Sequence, residues 1–422
     1  MNPFSYCKDE LFVEDVALAD IARVVGSPCY VYSKAGLKAA YRSFHEALAP
    51  QGGLICYAVK ANGNLAILAV LAGMGAGFDI VSQGELERVL AAGGDPRRVV
   101  FSGVGKTEAE MRRALEVGIR CFNVESVPEL TRLNAVAGSM NTIAPVSLRV
   151  NPDVDAGTHP YIATGLRDNK FGLPLAEAMT WYRQAASFPH LRFIGIDCHI
   201  GSQLTELRPF ADALDRVLPE VVALAESGLT LHHIDVGGGL GIRYRDERPP
   251  SIEDYVALMR ERLAAYGLSD SELVLEPGRA LVASSGILLT RIEYIKETAE
   301  KRFAIVDAGM NDLIRPALYG AWQDVIPVLV RKGRAREYDV VGPVCESADI
   351  FGRGRRLTVE TGDLLGICDA GAYGFAMSSQ YNARPRPAEV LVDGGRFQVV
   401  RARETFEDLM RGERMMACDP CP

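Results

Sequence analysis

The sequence predicts a parallel (β/α)8 barrel joined to a second domain that consists mainly of β-strands. Eight short apolar runs with strand character, each bounded by Gly, Pro, Asn or Asp, recur between residues 54 and 276. Eight such units within roughly 240 residues fit the usual size of this barrel. From about residue 281 onward, strand-like runs become frequent. The eight runs are Leu54–Val59, Phe78–Val81, Val99–Ser102, Cys121–Val124, Val146–Val150, Phe193–Cys198, His233–Val236 and Leu273–Leu275.

The segments between these runs have helical patterns. Residues 84–93, for example, carry apolar side chains at helical spacing and end in a glycine, which commonly terminates helices. Strand and helix therefore alternate, as they do in parallel β/α folds.

The second domain is predicted from runs of a different kind. Residues 287–294, 303–306 and 340–341 have strand character, and residues 389–392 and 397–400 flank Asp393-Gly394-Gly395, a strong hairpin signal. We expect an all-β domain of the β-sandwich or Greek-key kind.

The expected domain boundary is discontinuous in sequence. The run Cys29–Tyr32 precedes the first barrel helix, and we expect it to join the β domain. The prediction is therefore an N-terminal segment 1–36 that joins the β domain, a barrel over residues 37–280, and the β domain over residues 281–422.

Composition and charge exclude several classes of function. The chain has 422 residues, of which 48% are hydrophobic, and 46 Lys and Arg against 54 Asp and Glu give a net charge of -8. This charge opposes binding to nucleic acids and to anionic membranes. Without a signal-peptide pattern or an apolar run of membrane-spanning length, we expect a cytoplasmic protein.

The cysteines predict neither disulfides nor a metal site. Nine are present, an odd number, and most are scattered singly. Cys418 and Cys421 have the spacing of a metal or redox pair, but they lie near the terminus without a second pair, and their role stays unassigned.

Lys60 is the most informative single residue because it ends the first apolar run. Flanking apolar residues should reduce the solvation of its ammonium form, lower its pKa and favour a Schiff base with an aldehyde such as pyridoxal phosphate. Alone, the same pattern also fits a surface lysine just beyond a strand.

Other polar residues also fall at or just beyond strand ends. In a (β/α)8 barrel the chemistry lies at the carboxyl ends of the strands, so these side chains predict one site. Each by itself could equally be a cap or turn former. The positions are Lys60, Asp79, Asn123 with Glu125, Arg149 with Asn151, His199, Gly237–Gly239 and Glu276.

Three of these strand ends carry recognisable chemistry. The glycines of Gly237–Gly241 allow backbone N–H groups to approach an anion, which favours a phosphate site, although such runs also occur in ordinary turns. Glu276 could hold a pyridine nitrogen in its protonated form, and Arg279 could bind a carboxylate, unless the two form only a local ion pair. The His199 imidazole could stack on a flat ring, and Ser202 could donate to a phosphate.

The remaining histidines are interpreted as structural residues. They are His45, His159, His190, His232 and His233.

These motifs together resemble the fold-type III pyridoxal-phosphate-dependent decarboxylases. The resemblance rests on Tyr57–Asn62, His199–Gln203, Gly237–Gly241 and Glu276–Arg279. Within that group the chain is similar to the diaminopimelate decarboxylase family, over residues 151–165, 169–172, 311–319, 342–347 and 371–379. The resemblance extends to about residue 413.

The resemblance implies a role for each site residue. Lys60 would carry pyridoxal phosphate as an imine, His199 would stack on its ring, and Glu276 would pair with the pyridinium nitrogen. The phosphate group would be held by Ser202, Gly238, Gly239, Gly278 and Tyr373, with Arg279 also beside the cofactor. The far end of an amino acid substrate would be bound by Arg279, Arg315, Tyr319, Glu346 and Tyr373.

The same resemblance implies that Cys345 is the proton donor and that the active site spans a homodimer interface. Cys345 and Glu346 would then serve the barrel of the neighbouring subunit. The implied reaction is decarboxylation of meso-2,6-diaminopimelate to L-lysine and CO2. Arg279 and Arg315 favour this substrate over ornithine or lysine, because an absent distal carboxylate would leave both arginines unpaired.

Two alternatives are an amino acid racemase on a similar barrel and a non-catalytic cofactor-binding protein. Release of CO2 separates the decarboxylase from both.

Overall fold

A computed structural model describes residues 3–154 and 170–416, and the chain divides into two compact units. The first unit contains Ser33–Gly286 and, from further along the chain, Gly371–Ala376. The second contains Phe4–Tyr32, Ile287–Ala370 and the described part of Met377–Pro422. Residues 371–376, which fall in the predicted C-terminal domain, thus group with the barrel. Residues 155–169 of the family-like segment, with His159, and the pair Cys418 and Cys421, lie outside the described residues.

The first unit contains the predicted eight-stranded parallel barrel, which is confirmed. Each strand pairs in parallel with the next, and the last pairs with the first, so the sheet closes. The strands are β1 (Leu54–Ala58), β2 (Gly77–Ile80), β3 (Val99–Phe101), β4 (Cys121–Val124), β5 (Ala144–Asn151), β6 (Leu191–Asp197), β7 (His233–Asp235) and β8 (Glu272–Leu275).

Helices alternate with these strands, and polar caps fix where several of them begin. Ser82 accepts a hydrogen bond from the Glu85 amide, and Thr107 and Glu110 form a reciprocal capping box, which satisfies amides that a helix leaves free at its start. The helices of this unit are Lys34–Leu48, Leu65–Ala72, Gln83–Ala91, Glu108–Val117, Val127–Ser139, Leu175–Arg183, Arg208–Glu226, Ile252–Ala265 and Arg279–Val282.

The second unit is built on a mixed sheet, in which Cys29–Ser33 lies between Gly286–Glu297 and Ala388–Asp393, as expected for the N-terminal run. The predicted hairpin is confirmed by antiparallel pairing of Ala388–Asp393 with Arg396–Arg401. The other strands are Arg302–Val306, Val325–Pro327, Arg336–Val341, Ile350–Leu357 and Leu364–Ile367, and Phe4–Cys7, Glu10–Val13 and Val16–Ala17 form a smaller sheet.

The unit is not purely β as expected, because short helices cover parts of its sequence. Leu18–Val25 packs Leu18 and Ile21 into the apolar core, and Arg315–Tyr319 and Phe406–Leu409 form single turns. None of the helices in the described residues is both long and apolar enough to cross a membrane.

Candidate active site

Lys60 lies directly beyond β1, in the short turn Val59–Ala61, with its side chain 39% exposed. Its Nζ donates a hydrogen bond of 2.6 Å to Oδ2 of Asp79. Asp79 is fully buried, and the register of β1 against β2 places it opposite Ala58. The pairing of adjacent parallel strands therefore brings the amine and the carboxylate together.

The expected fall in the pKa of Lys60 is wrong. Burial does act to lower this pKa, but the negative charges of Asp79 and Glu276 raise it more, so the pKa of Lys60 stands above its ordinary value. The prediction took into account only the apolar residues next to Lys60 in the sequence, whereas both carboxylates come from other strand ends. Lys60 is therefore an ammonium group that forms an ion pair with Asp79.

Three more carboxyl groups meet inside the barrel mouth. The carboxylate oxygens of Asp197, Asp235 and Glu276, at the ends of β6, β7 and β8, lie within 4.8 Å of one another, and all three residues are buried. Burial, with the charges of Asp235, Asp79 and Asp197, raises the pKa of Glu276 well above its usual range. Burial, with the charge of Asp79, raises the pKa of Asp235 to about 6. This part of the site favours a group that carries positive charge.

Arg149 supplies one such charge from β5. Its guanidinium lies 3.1 Å from Glu125 and 3.8 Å from Asp197, and these acids keep its pKa above the ordinary value despite burial. Behind it, the buried Lys106 donates to Glu129 at 2.7 Å, and Glu129 accepts from the Glu125 amide at 3.0 Å. Two ion pairs, linked through the Glu125 backbone amide, thus fix the position of Arg149.

The backbone of the glycine turn after β7 lies close to His199 and Glu276. A side chain at Gly238 would overlap the carbonyl oxygen of Glu276, so no other residue fits this position. The Gly238 amide donates to Nδ1 of His199 at 3.2 Å, which leaves the proton of a neutral ring on Nε2. Burial, Arg149 and Lys60 lower the pKa of His199 well below its usual range, so the ring is neutral.

Arg279 connects the eighth strand end to the sixth. Its guanidinium donates to Oγ of Ser202 at 3.0 Å and to the hydroxyl of Tyr244 at 2.7 Å, and it lies 5.0 Å from the ring centre of Tyr373. Tyr373 reaches this place because its amide donates to the Ala61 carbonyl at 2.8 Å. Residues 371–376 therefore complete the barrel mouth.

The residues of the first unit fit pyridoxal phosphate on two grounds. Within the part of the chain that the structure describes, Oδ1 of Asp79, Oδ1 of Asp197 and Oδ2 of Asp235 are buried without a hydrogen-bond partner, as expected where charge is to be compensated by a ligand. At Gly278, a Cβ atom would lie 3.1 Å from Ala58 and Ala61 and 3.4 Å from the Tyr373 hydroxyl. Because glycine has no side chain, the backbone at this position, the Tyr373 hydroxyl and the Arg279 guanidinium can all approach the same anion.

The other predicted residues lie in the second unit. Arg315 is buried at the start of the helix Arg315–Tyr319, which also carries Tyr319. Cys345 is exposed, and its amide donates to Oδ1 of Asn382 at 3.1 Å. Glu346 accepts a 2.6 Å hydrogen bond from the hydroxyl of Tyr381.

Sequence reasoning missed Asp197, Asp235 and the Lys106–Glu129 pair. Asp197 and Asp235 are the last residues of β6 and β7, within runs that are predicted to be buried strands. A signal was present, since a lone aspartate before the end of a buried parallel strand requires compensation and so marks the barrel mouth.

Comparison with known proteins agrees with this site. Residues 34–283 match the family described as pyridoxal-dependent decarboxylase, pyridoxal binding domain. Diaminopimelate decarboxylase of Pseudomonas aeruginosa is 60% identical over 99% of this chain and 100% of its own length, and that of Vibrio cholerae is 57% identical over the same shares.

Solved structures of diaminopimelate decarboxylases are also similar to this chain. Diaminopimelate decarboxylase of Helicobacter pylori, complexed with L-lysine, superposes with a TM-score of 0.90 at 42% identity, covering 93% of this chain and 98% of that one. The enzyme of M. jannaschii, also in complex with L-lysine, has a TM-score of 0.94 at 38% identity over 98% of both chains.

Proposed function

This chain belongs to the diaminopimelate decarboxylase family of pyridoxal-phosphate-dependent carboxy-lyases, and we propose that the residues at its barrel mouth perform the family's reaction in the following way. The reaction converts meso-2,6-diaminopimelate to L-lysine and CO2, the last step of lysine biosynthesis. The observation that carries the assignment of roles is Lys60, held 2.6 Å from Asp79 at the carboxyl end of a parallel barrel.

Lys60 would bind the cofactor covalently, and the Asp79 carboxylate would hold the Lys60 amine in position. The 2.6 Å hydrogen bond supports this role because it joins the two side chains directly. Pyridoxal phosphate, when bound, supplies an electron sink for the bond to the departing carboxylate.

Glu276 holds the proton on the cofactor's ring nitrogen, and His199 lies against the ring face. Support comes from the raised pKa of Glu276, caused by burial and by Asp235 and Asp79, since such a carboxyl group gains most from a neighbouring positive charge. The neutral His199 ring can stack without adding charge.

The phosphate group is held by Ser202, Gly238, Gly239, Gly278 and Tyr373, with Arg279 beside them. The hydrogen bonds from Arg279 to Ser202 and Tyr244 support this role, because they fix a guanidinium next to backbone N–H groups at the end of β7 and β8. Phosphate sites of (β/α)8 barrels recur at these two strand ends.

The substrate's distal end is bound by Arg279, Arg315, Tyr319, Glu346 and Tyr373, and Cys345 donates the proton that replaces the lost carboxylate. The two arginines match a distal carboxylate, and Glu346 matches a distal ammonium group. Exposure of Cys345 supports a contact with substrate rather than a role in a core.

We further propose a cytoplasmic homodimer in which Cys345 and Glu346 of one subunit serve the barrel of the other. Mixing the inactive variants Lys60→Ala and Cys345→Ala tests it, because a mixed dimer regains one intact site. Partial recovery of CO2 release supports shared sites, and no recovery contradicts them.

Borohydride reduction of the enzyme with pyridoxal phosphate, followed by peptide mass mapping, tests the cofactor's attachment. We expect the adduct on the peptide that contains Lys60, and an adduct on any other lysine would refute the assignment. Incubation with diaminopimelate stereoisomers, lysine and ornithine, with product identification, tests the substrate, and racemisation without CO2 release would replace the proposed reaction.

A further inference from the structure

The amino end of the barrel, opposite the site described above, contains a basic cavity of about 450 Å³. It is bounded by residues at the starts of β3 to β7, so it forms the floor of the barrel. Its polar lining residues are Arg97, Arg120, Arg192, His232 and His233. None of these residues takes part in the proposed chemistry.

His233 is the unusual member of this set. Its side chain is fully buried, and neither ring nitrogen has a hydrogen-bond partner among residues 3–154 and 170–416. The ring lies against Gly195 of the paired strand β6, where any side chain would overlap it. An unpaired buried polar group destabilises the folded state, so this arrangement requires compensation.

The protonation state of His233 makes it a neutral donor. Burial, assisted by the charge of Arg120 and by His232, lowers the pKa of His233 to about 3. One ring nitrogen therefore carries a proton at neutral pH, and His233, which lines the cavity, has an N–H group without an acceptor among the described residues.

Positive charge around this donor exceeds the negative charge that balances it. Arg97 is paired with Asp95 through two hydrogen bonds of 3.0 Å, and Arg120 is paired with Glu272. Arg192 is exposed, and no carboxylate in the described part of the chain lies within ion-pair distance of it. The cavity thus has one more cation than it has anions.

We propose that this cavity binds a small multivalent oxyanion, with a carboxylate or phosphate group that accepts from His233 and is flanked by Arg120 and Arg192. The size of the cavity suits a compact organic acid or a phosphate ester, and the overall charge of -8 disfavours a nucleic acid as the occupant. The planar guanidinium group of arginine can donate two parallel hydrogen bonds to two oxygens of such an anion.

Calorimetric titration of the holoenzyme tests the proposal, with inorganic pyrophosphate and citrate as test anions at constant ionic strength. The bound cofactor occupies the phosphate site of the barrel mouth, and anion that binds at the substrate's carboxylate site is recognised by inhibition competitive with substrate. We expect Arg192→Gln to weaken binding about fivefold, as removal of one partly exposed ion pair does. Arg132→Gln is the matched control, because Arg132 is an exposed arginine outside the cavity, and it should leave the affinity unchanged.

His233→Gln tests the buried donor, and a structure of the unaltered holoenzyme with pyrophosphate gives the same information if that variant fails to fold. Anion bound between Arg192 and His233 supports the proposal. Equal affinity in Arg192→Gln and the unaltered enzyme, absence of binding, or inhibition that is competitive with substrate would each overturn it. Pyrophosphate binding without citrate binding, or the reverse, identifies which of the two anion types the cavity accepts.

Discussion

At its carboxyl end the barrel buries Asp79, Asp197, Asp235 and Glu276 near a single lysine, whereas at its amino end it surrounds one neutral imidazole with arginines. Both arrangements leave polar atoms without partners in the described residues. The signs of charge are opposite, however, since the acid cluster Asp197, Asp235 and Glu276 repels further negative charge, whereas the arginines of the floor attract it. The same eight strands therefore offer two distinct electrostatic environments.

This difference shows that a parallel barrel can place its reactive groups at one end and its stabilising ion pairs at the other. The carboxyl-end acids raise one another's pKa and so favour a cationic ring beside Glu276. At the amino end, Arg120, just before β4, pairs with Glu272, the first residue of β8, and so joins two strands that are not neighbours in the barrel. Substitutions at the two ends should consequently affect different quantities.

The largest effect is expected for Lys60→Ala. Loss of the only amine that contacts Asp79 in the described residues should lower turnover by at least about 10³-fold, because covalent attachment of the cofactor is lost. Lys38→Ala, on the helix Lys34–Leu48, removes the same group away from the site and should retain full turnover. CO2 release measures both, and substantial activity of Lys60→Ala would remove the basis of the mechanism.

Glu272 begins β8 and Glu276 directly follows it, so substitutions at these two glutamates allow the two ends of the barrel to be compared directly. Glu276→Gln should lower turnover on the order of 10²-fold, because an amide cannot hold a positively charged ring nitrogen by charge. Glu272→Gln, at the amino end of the same strand, breaks only the half-exposed pair with Arg120 and should change stability by at most about 1 kcal/mol.

Steady-state kinetics and urea unfolding of both variants measure this difference. Equal losses of turnover in the two variants would contradict the separation of roles between the ends.

The sequence predicted the barrel and the location of its site well, for a physical reason. Buried parallel strands read as apolar runs, and glycine or proline ends them, so each run identifies a strand and its carboxyl end. The eight observed strands agree with the eight predicted runs. Electrostatics could not be predicted in this way, since the high pKa of Lys60 depends on Asp79 across a strand pair.

Two further features depended on the fold rather than on local sequence. The role of segment 371–376 follows from its hydrogen bonds to the barrel, among them Tyr373 to Ala61, which are distant in the chain. His233 was interpreted as structural because a lone histidine in an apolar run gives no sign of which groups surround it. Only the closed barrel shows that Gly195 leaves room for its ring.

Gly195→Ala should destabilise the amino end of the barrel without altering the site at its carboxyl end. The added methyl group would overlap the His233 ring, which we expect to cost roughly 1 to 3 kcal/mol of unfolding free energy. Turnover of the folded protein should stay unchanged. Urea unfolding measures the loss, with Gly84→Ala as control, because a Cβ at Gly84 would lie 3.7 Å from its nearest neighbour, Ser82 Oγ. A large loss of turnover without loss of stability would mean that the floor acts on catalysis.

The last effect depends on pH and concerns Glu85, whose carboxylate accepts from the Val81 amide at 2.8 Å beside the mouth. Burial chiefly, with a contribution from Asp79, raises the pKa of Glu85 from 4.5 to about 7. Below pH 4.5 both the folded and unfolded states hold the proton. Between that value and about 7 the unfolded state loses it first, so stability falls as pH rises through this window.

Glu85→Gln should remove this decline, which we expect to amount to about 1 to 3 kcal/mol between pH 4.5 and 7.5. Glu87→Gln is the control, because Glu87 is exposed and its hydrogen bond with Arg113 lowers its pKa instead. Urea unfolding at several pH values measures both variants. If Glu85→Gln declines as steeply as the unaltered protein, then other buried carboxyl groups at the mouth, foremost Asp235 with a pKa of about 6, govern the pH dependence.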